Sequence, residues 1–339
     1  MGTTHPDAAL AVPPTLFLSD ADVAGLTDWP SAIHALRQAY AASVHPAMVP
    51  PRSMARGDGL WLRALTAVSP SGGHLGCKLI SASTTHRRAS YLISLFDQTT
   101  MGLSALIDGN RITGIRTAAT AAVTVDQAAP RRPLRVAVIG SGFEARGLLL
   151  ALASIRALAG ARVFSPTPAS RERFTADLRS QASLDVVPVA CAQDAVHGAD
   201  VVLCAARSRD ESPVLRGEWL EPGMTVVSVG STLPEQREVD EQVLARASLI
   251  VADMVDEVAH DTGDLLAASR AGIDVSSRLV SLGDFVSGKA ARQSAADIVV
   301  YKSVGSALQD VVTAEMLLAR ARAQGVGTPL AHSIVPVSK

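Results

Sequence analysis

Gly140 and Gly142 stand between a β-branched run, Val136, Val138 and Ile139, and a stretch of helical composition, in the segment RVAVIGSGFEARGLLL from Arg135 to Leu150. A strand, glycine turn and helix in this order can bind the pyrophosphate of a dinucleotide. The glycines allow a tight turn with close backbone approach, and the unpaired N–H groups and positive dipole end of the helix start receive the anion. Phe143 and Glu144 open that helix. Ala145 fills the third glycine position of the pattern, where only a small residue is needed between helix and strand.

A second strand, Ala161 to Phe164, arrives about 20 residues after the glycines, where a mononucleotide-binding half requires one. The residues at its carboxyl end select the cofactor. An NAD enzyme usually places Asp or Glu here for the ribose 2′-hydroxyl, whereas this chain reads Ser165, Pro166, Thr167 and then Arg171 and Arg173. Two hydroxyls and a guanidinium can receive a 2′-phosphate, so NADPH is the expected cofactor and NADH the alternative.

Apolar periodicity locates the elements that must position this site. Further strands are expected at Val186–Val189, Asp200–Ala205, Thr225–Val229 and Leu249–Ala252, alternating with helical or turn segments, which argues an α/β fold with a doubly wound parallel sheet. The glycine turn begins well inside the chain, so another unit precedes it. Residues 1 to about 14 should be loosely held. Leu16–Leu18 reads as a short strand, Ser19 as a helix start, and Trp29–Ala42 as a helix. Between Leu60 and Asp108 the pattern becomes a meander of antiparallel strands: LWLRALTAV, HLGCKLISA, ASYLISLFD and GLSALID. Its two apolar faces predict that one packs inside and the other against a second copy, giving a homodimer. Ile112–Asp126 should be an alanine-rich helix leading into the nucleotide domain. Ile298–Ala323 leaves that domain and continues as a helix ended by Gly325 and Gly327. The expected division is 1–127, a substrate-binding and dimerisation domain; 128–300, the nucleotide-binding domain; and 301–339, a helix returning to the first domain.

Composition narrows the partners. With 48% hydrophobic and 19% charged residues the 339-residue chain can build a substantial core. A net charge of −1 and 4% aromatics leave no footprint for nucleic acid. No apolar run is long enough for a membrane span, and a cytoplasmic protein is expected. Cys77, Cys191 and Cys204 have no paired spacing and read as buried reduced thiols; the histidines show no metal-ligand spacing, so no metal is expected.

Six stretches, GCK at 76–78, LFD at 95–97, RTAAT at 116–120, VIGSGFEA at 138–145, VGSTLPEQRE at 229–238 and YKSVGSALQD at 301–310, together resemble the ornithine cyclodeaminase and mu-crystallin family of imino- and amino-acid oxidoreductases. The resemblance covers nearly the whole chain. It implies a Rossmann-type parallel sheet inserted in a second α+β domain, whose antiparallel sheet is used for dimerisation. It also implies a cleft where nicotinamide meets an α-imino or α-amino acid. Carried over, Lys78 contacts the substrate carboxylate or assists proton transfer, Arg116 clamps that carboxylate, and Arg52 is a second clamp. Thr117 would lie near the cofactor phosphates, with Val229, Gly230 and Ser303 also beside the cofactor.

Two departures refine the expectation. Cyclodeaminases carry an aspartate at the end of the segment corresponding to 230–232, which activates the amine or the attacking water; this chain has Gly230, Ser231 and Thr232. A hydroxyl is no base near neutral pH without help. Glu235 and Glu238 could replace the acid, although solvated or helix-capping roles are the ordinary reading for such a loop. Asp310 is expected to organise the domain junction or Lys302. Leu62 to Ala67 offers Arg63 but no glutamate where the cyclodeaminases have one to receive a basic side chain. The expected function is NAD(P)H-dependent reduction of a small α-imino acid, cyclic or acyclic. The alternatives are an ornithine or lysine cyclodeaminase with bound NAD, and a non-catalytic nucleotide-dependent binding protein.

Overall fold

A computed structural model describes residues 13–208 and 210–337. The polar beginning of the chain, expected to be loosely held, therefore lies almost wholly outside the described residues. The first half builds a sheet from β1 (Leu16–Leu18), β2 (Ser53–Gly57), β3 (Leu60–Val68), β4 (His74–Ser83), β5 (Arg88–Asp97) and β6 (Leu103–Asp108). Two helices, α1 (Asp20–Leu26) and α2 (Trp29–Ala41), lie between β1 and β2. Ser19 caps α1 with a capping box to Asp22, and Asp28 caps α2 through the Ser31 amide, so both helices start where local hydrogen bonding favours it. The expected meander β3–β6 is present with antiparallel pairing throughout.

The long helix α3 (Asn110–Ala128) carries the chain to a parallel sheet made of β7 (Leu134–Ile139), β8 (Leu158–Phe164), β9 (Val186–Pro188), β10 (Val201–Cys204), β11 (Thr225–Ser228), β12 (Leu249–Ala252), β13 (Leu279–Ser281) and β14 (Val299–Lys302). The helices between them are α4 (Phe143–Ala153), α5 (Pro168–Ala182), α6 (Ala192–Val196), α7 (Glu241–Arg246), α8 (Val255–Asp261), α9 (Gly263–Arg270) and α10 (Leu282–Val286). Strand order is β13-β12-β14-β11-β10-β7-β8-β9. The chain thus runs outward from β7 in both directions, and a crevice opens at the carboxyl ends of the strands beside β7, the switch point where doubly wound sheets bind ligands. β14 sits inside the sheet between β12 and β11, although in the sequence its residues read only as an exit from that domain. Its run VVYK is too short for periodicity to separate it from the helix after it.

After β14, α11 (Ala307–Gln324) packs against α2, α3, β3 and β4, and Gly325, at φ +65, ends it in the left-handed conformation a side chain would oppose. β15 (Thr328–Pro329) then pairs with β1, extending the first sheet in the order β15-β1-β6-β5-β4-β3-β2. α3 is buried around nearly its whole circumference. Its alanines permit that close packing, and Thr120 and Thr124 satisfy their hydroxyls on carbonyls one turn earlier.

The outer face of the antiparallel sheet exposes Leu60, Leu62, Val68 and Leu92. No helix among the described residues is long and apolar enough to cross a membrane, and no group of three or more His, Cys, Asp or Glu side chains is placed to hold a metal ion. The thiols depart from expectation: Cys204 is buried and Cys77 half-buried, but Cys191 is exposed at the start of α6. Its cap position, not apolar packing, explains why it stands there.

Candidate active site

The glycine turn closes the carboxyl end of β7. Gly140 has φ +112, and a Cβ there would lie 2.6 Å from the Ala205 carbonyl oxygen, so only glycine lets the turn pass beside β10. Gly142 is the N-cap of α4, makes no side-chain cap, and has open space where a Cβ would be. This leaves the first amides of α4 facing the crevice, which fits a dinucleotide pyrophosphate. Ala145 is fully buried at the contact of α4 with the sheet. Glu144 is exposed, and the exposed Phe143 ring leans over Gly114 of α3, where any added Cβ would overlap it.

Beyond β8, Ser165 is buried and its hydroxyl accepts from the Ser141 hydroxyl at 2.9 Å. Arg171 donates to the Ser165 carbonyl and lies 5.6 Å over the Phe164 ring. Thr167 is the N-cap of α5 and makes no cap bond with its side chain. The strand end therefore presents hydroxyls and a guanidinium, with no carboxylate from 165 to 171.

Lys78 is only 1% exposed, in the middle of β4. Its ammonium donates to Asp310 Oδ1 at 2.9 Å and to Thr113 Oγ1 at 2.6 Å. Gly76 makes this contact possible, because a Cβ there would meet the Ser94 carbonyl at 2.6 Å and Val311 of α11 at 3.0 Å. The glycine admits α11 close enough for its first turn to carry Asp310 to the lysine. Burial lowers the Lys78 pKa; Asp310 opposes that effect and Arg116 adds to it. Asp310 thus partners Lys78, and the expected pairing with Lys302 is corrected: Lys302 instead meets Asp264 at 2.8 Å.

Arg116, within α3, has its Nε 3.4 Å from the same Asp310 oxygen and donates from Nη1 to Gln309 Oε1 at 3.0 Å. Gly305, at φ +78, makes room for the guanidinium, since a Cβ there would lie 2.6 Å from Nη1. Thr117 is buried on the next position of the helix. Arg52 reaches the same region but is engaged by the protein: it pairs with Glu257 of α8 and donates to the Gly305 carbonyl at 2.9 Å. Neither Glu257 nor Asp253 was anticipated. Asp253 accepts from the Ser303 hydroxyl at 2.6 Å, from the Gly305 amide at 2.9 Å and from Gln309 Nε2 at 2.9 Å, fixing the turn between β14 and α11. An acid whose partners lie 50 residues onward leaves no local pattern.

Beneath the crevice, Val229 is buried and the Gly230 amide donates to Glu238 at 2.9 Å. The same carboxylate accepts from the Ala206 amide at 2.8 Å and the Ser228 hydroxyl at 2.6 Å. Glu238 is completely buried, so the solvated or capping role expected for it is wrong; its carboxyl ties the loops after β10 and β11 together. Burial pushes its pKa up to about 7 against the pull of Lys302 and these hydrogen bonds. Lys302 also donates to the Ser231 carbonyl at 2.9 Å. Asp264 accepts from the Ser231 hydroxyl and, at 2.8 Å, from the Glu238 amide, so both acids are committed to holding the loop. Glu235 is exposed, and the Thr232 amide donates to Gln236 Oε1 at 2.9 Å.

A cavity of about 490 Å³ is lined by residues that include Tyr40, Val49, Pro51, Met254, Glu257 and Leu308. Its volume suits a small ligand.

The sequence profile of the ornithine cyclodeaminase/mu-crystallin family matches residues 15–325. The Delta(1)-pyrroline-2-carboxylate reductase of Bacillus cereus is 28% identical over 291 residues, 85% of each chain. The ketimine reductase mu-crystallin of Rattus norvegicus is 30% identical over 264 residues, covering 76% of this chain and 79% of its own. In three dimensions the chain matches Thermococcus litoralis Delta(1)-pyrroline-2-carboxylate reductase, solved with NADH and L-proline, at a TM-score of 0.85 and 24% identity, over 93% of this chain and 100% of that one. At that identity the likeness is one of fold. With the profile spanning both sheets, the chain belongs to the ornithine cyclodeaminase/mu-crystallin family.

Proposed function

We propose that the protein is an NAD(P)H-dependent oxidoreductase that reduces a small α-imino acid to the amino acid. The observation that carries this reading is the buried Lys78–Asp310–Arg116 cluster, combined with a 230–232 loop that offers Gly230, Ser231 and Thr232 and no carboxylate. The relatives named as pyrroline-2-carboxylate and ketimine reductases support it.

When bound, the reduced nicotinamide supplies a hydride to the imine carbon. The protein's own groups do the rest. Arg116 presents a planar fork to the α-carboxylate and holds the substrate in one orientation, while Arg52, paired with Glu257, flanks it. Lys78, its pKa lowered by burial, gives a proton from Nζ to the imine nitrogen as the C=N π bond breaks. The hydride's electron pair forms the new C–H bond, the C=N π pair moves to nitrogen and takes the proton, and Lys78 is reprotonated from solvent. Asp310 keeps the lysine oriented between turnovers. Reduction of an imine needs neither the amine nor the water that the cyclodeaminases' aspartate activates, so the missing aspartate is no obstacle.

NADPH is the preferred cofactor in this reading, because Ser165, Thr167 and Arg171 suit a 2′-phosphate. The working unit is a homodimer joined through the outer face of the antiparallel sheet, with residues 1–127 and the returning C-terminal helix forming the substrate domain. The experiment is a nicotinamide-oxidation assay with pyrroline-2-carboxylate, piperideine-2-carboxylate, and imines formed from 2-oxo acids with ammonia or methylamine. NADPH consumption is expected with at least one. Absence of turnover with all of them, together with ammonia release from ornithine or lysine by enzyme carrying NAD, overturns the proposal in favour of cyclodeamination.

A further inference from the structure

Arg63 is a cation in the substrate region that makes no ion pair among the described residues. It lies on β3, opposite Met54 of β2 and Ile80 of β4, and Ile80 in turn faces Tyr91 of β5. Lys78 faces Leu65 in the adjacent row. Since side chains two apart share a face of the sheet, Arg63 points to the same side as Lys78, about 7 Å further along the strand. Its Nε is buried without a hydrogen-bond partner, and no ion pair to it is present among the described residues. Its guanidinium lies 5.2 Å over the Trp61 ring, which holds the group in place but leaves its charge unanswered.

The surroundings make the imbalance larger. Burial and the neighbouring Arg52 and Arg56 guanidiniums disfavour the charged form of Arg63. The one carboxylate acting on it, Glu257, already pairs with Arg52. Arg63 is half-buried, and a charge in this position whose Nε makes no hydrogen bond is stabilised by a ligand that supplies the counter-charge. The α-carboxylate of the proposed substrate goes to Arg116, so a second acidic group of the same molecule is the counter-charge open to Arg63.

Building on the imine-reductase reading, we infer that Arg63 is a specificity residue for a second carboxylate, and that the substrate is an α-imino diacid with a short side chain. The reaction supplying it is condensation of a 2-oxo diacid with ammonia, which releases water. Reduction then yields an acidic amino acid.

The test compares kcat/KM for NADPH oxidation with ammonium plus oxaloacetate or 2-oxoglutarate against ammonium plus pyruvate or 2-oxobutyrate. The wild-type protein is expected to favour a diacid by about 30-fold or more, the range of one charged hydrogen-bonded contact. Arg63→Met should collapse that ratio, chiefly through KM, and Arg63→Lys should restore part of it. Thermal melting of each variant shows that it is folded. Binding of L-aspartate and L-glutamate against L-alanine, measured by calorimetry on the NADP+-loaded enzyme, gives a readout independent of turnover. Reduction of monocarboxylic imines with no diacid preference overturns the inference and leaves the reductase reading standing. Arg63-dependent preference for an acidic amino acid in a protein that reduces no imine upholds the role of Arg63 and overturns the reaction. Loss of both overturns both.

Discussion

Lys78 Nζ lies 2.9 Å from Asp310 Oδ1, although 232 positions separate the two residues and each is 1% exposed. The pair joins the middle of an antiparallel strand to the first turn of the helix that comes after the parallel sheet. It sets both the charge and the direction of the proposed proton donor. Breaking one partner of a buried pair strands the other charge, so the contact is sensitive to single substitutions.

Asp310→Asn should reduce kcat/KM by about 100-fold, in the range assigned to a positioned proton donor. The direction of the contact fixes the sign of the pH effect. Turnover needs Lys78 protonated, so kcat falls as pH rises through the lysine's pKa. Asp310 raises that pKa, and its removal should move the alkaline limb to lower pH. A pH–rate profile with the limb unmoved would separate Asp310 from Lys78 function. Lys78→Met should abolish the limb while leaving NADPH binding measurable by fluorescence.

Glu238 makes stability depend on pH. Its carboxyl is pushed up to about 7 from the ordinary 4.5, so between these values the folded protein holds a proton that the unfolded chain has lost. Stability contributed by this group is therefore present at low pH, falls as pH rises from about 4.5 to about 7, and is flat above, with a span of about 3 kcal/mol. Urea unfolding at pH 5 and pH 7.5 should show a smaller difference for Glu238→Gln than for the wild-type protein. Equal differences would refute the assignment.

Arg171→Ala removes the guanidinium beside Ser165. KM for NADPH should rise about tenfold while KM for NADH changes little, as expected for loss of one charge-assisted contact to a 2′-phosphate. Parallel increases for both cofactors would mean that Arg171 only supports the loop.

Leu62 and Leu92 are exposed on the outer face of the antiparallel sheet. The wild-type protein is expected to sediment as a dimer and a double Leu62→Glu, Leu92→Glu variant as a monomer, because two charges would be forced into the proposed apolar interface. A wild-type monomer would assign that face some other cover.

The elements with strong period were legible in the sequence. LWLRALTAV alternates and became β3; the glycine turn between a β-branched run and a helix became the β7–α4 junction; Gly325 ended the last helix. The short runs were harder. β2 lies among charged residues, and VVYK gives no hint that β14 fills the middle of the parallel sheet. Strand order arises from long-range pairing, which a four-residue run does not encode locally.

The sequence by itself determined the types of group available: a glycine turn for an anion, hydroxyls and Arg171 after the second strand, Lys78 and Arg116 in their stretches, and no carboxylate from 230 to 232. Only the tertiary structure decided their partners. It gave Asp310 to Lys78 and Asp264 to Lys302, sank Glu238 beneath the loops, turned Arg52 to Glu257 and left Arg63 without an ion pair among the described residues. The physical reason is burial. A charge taken out of water must find its partner in space, and packing, not spacing along the chain, decides which opposite charge is there.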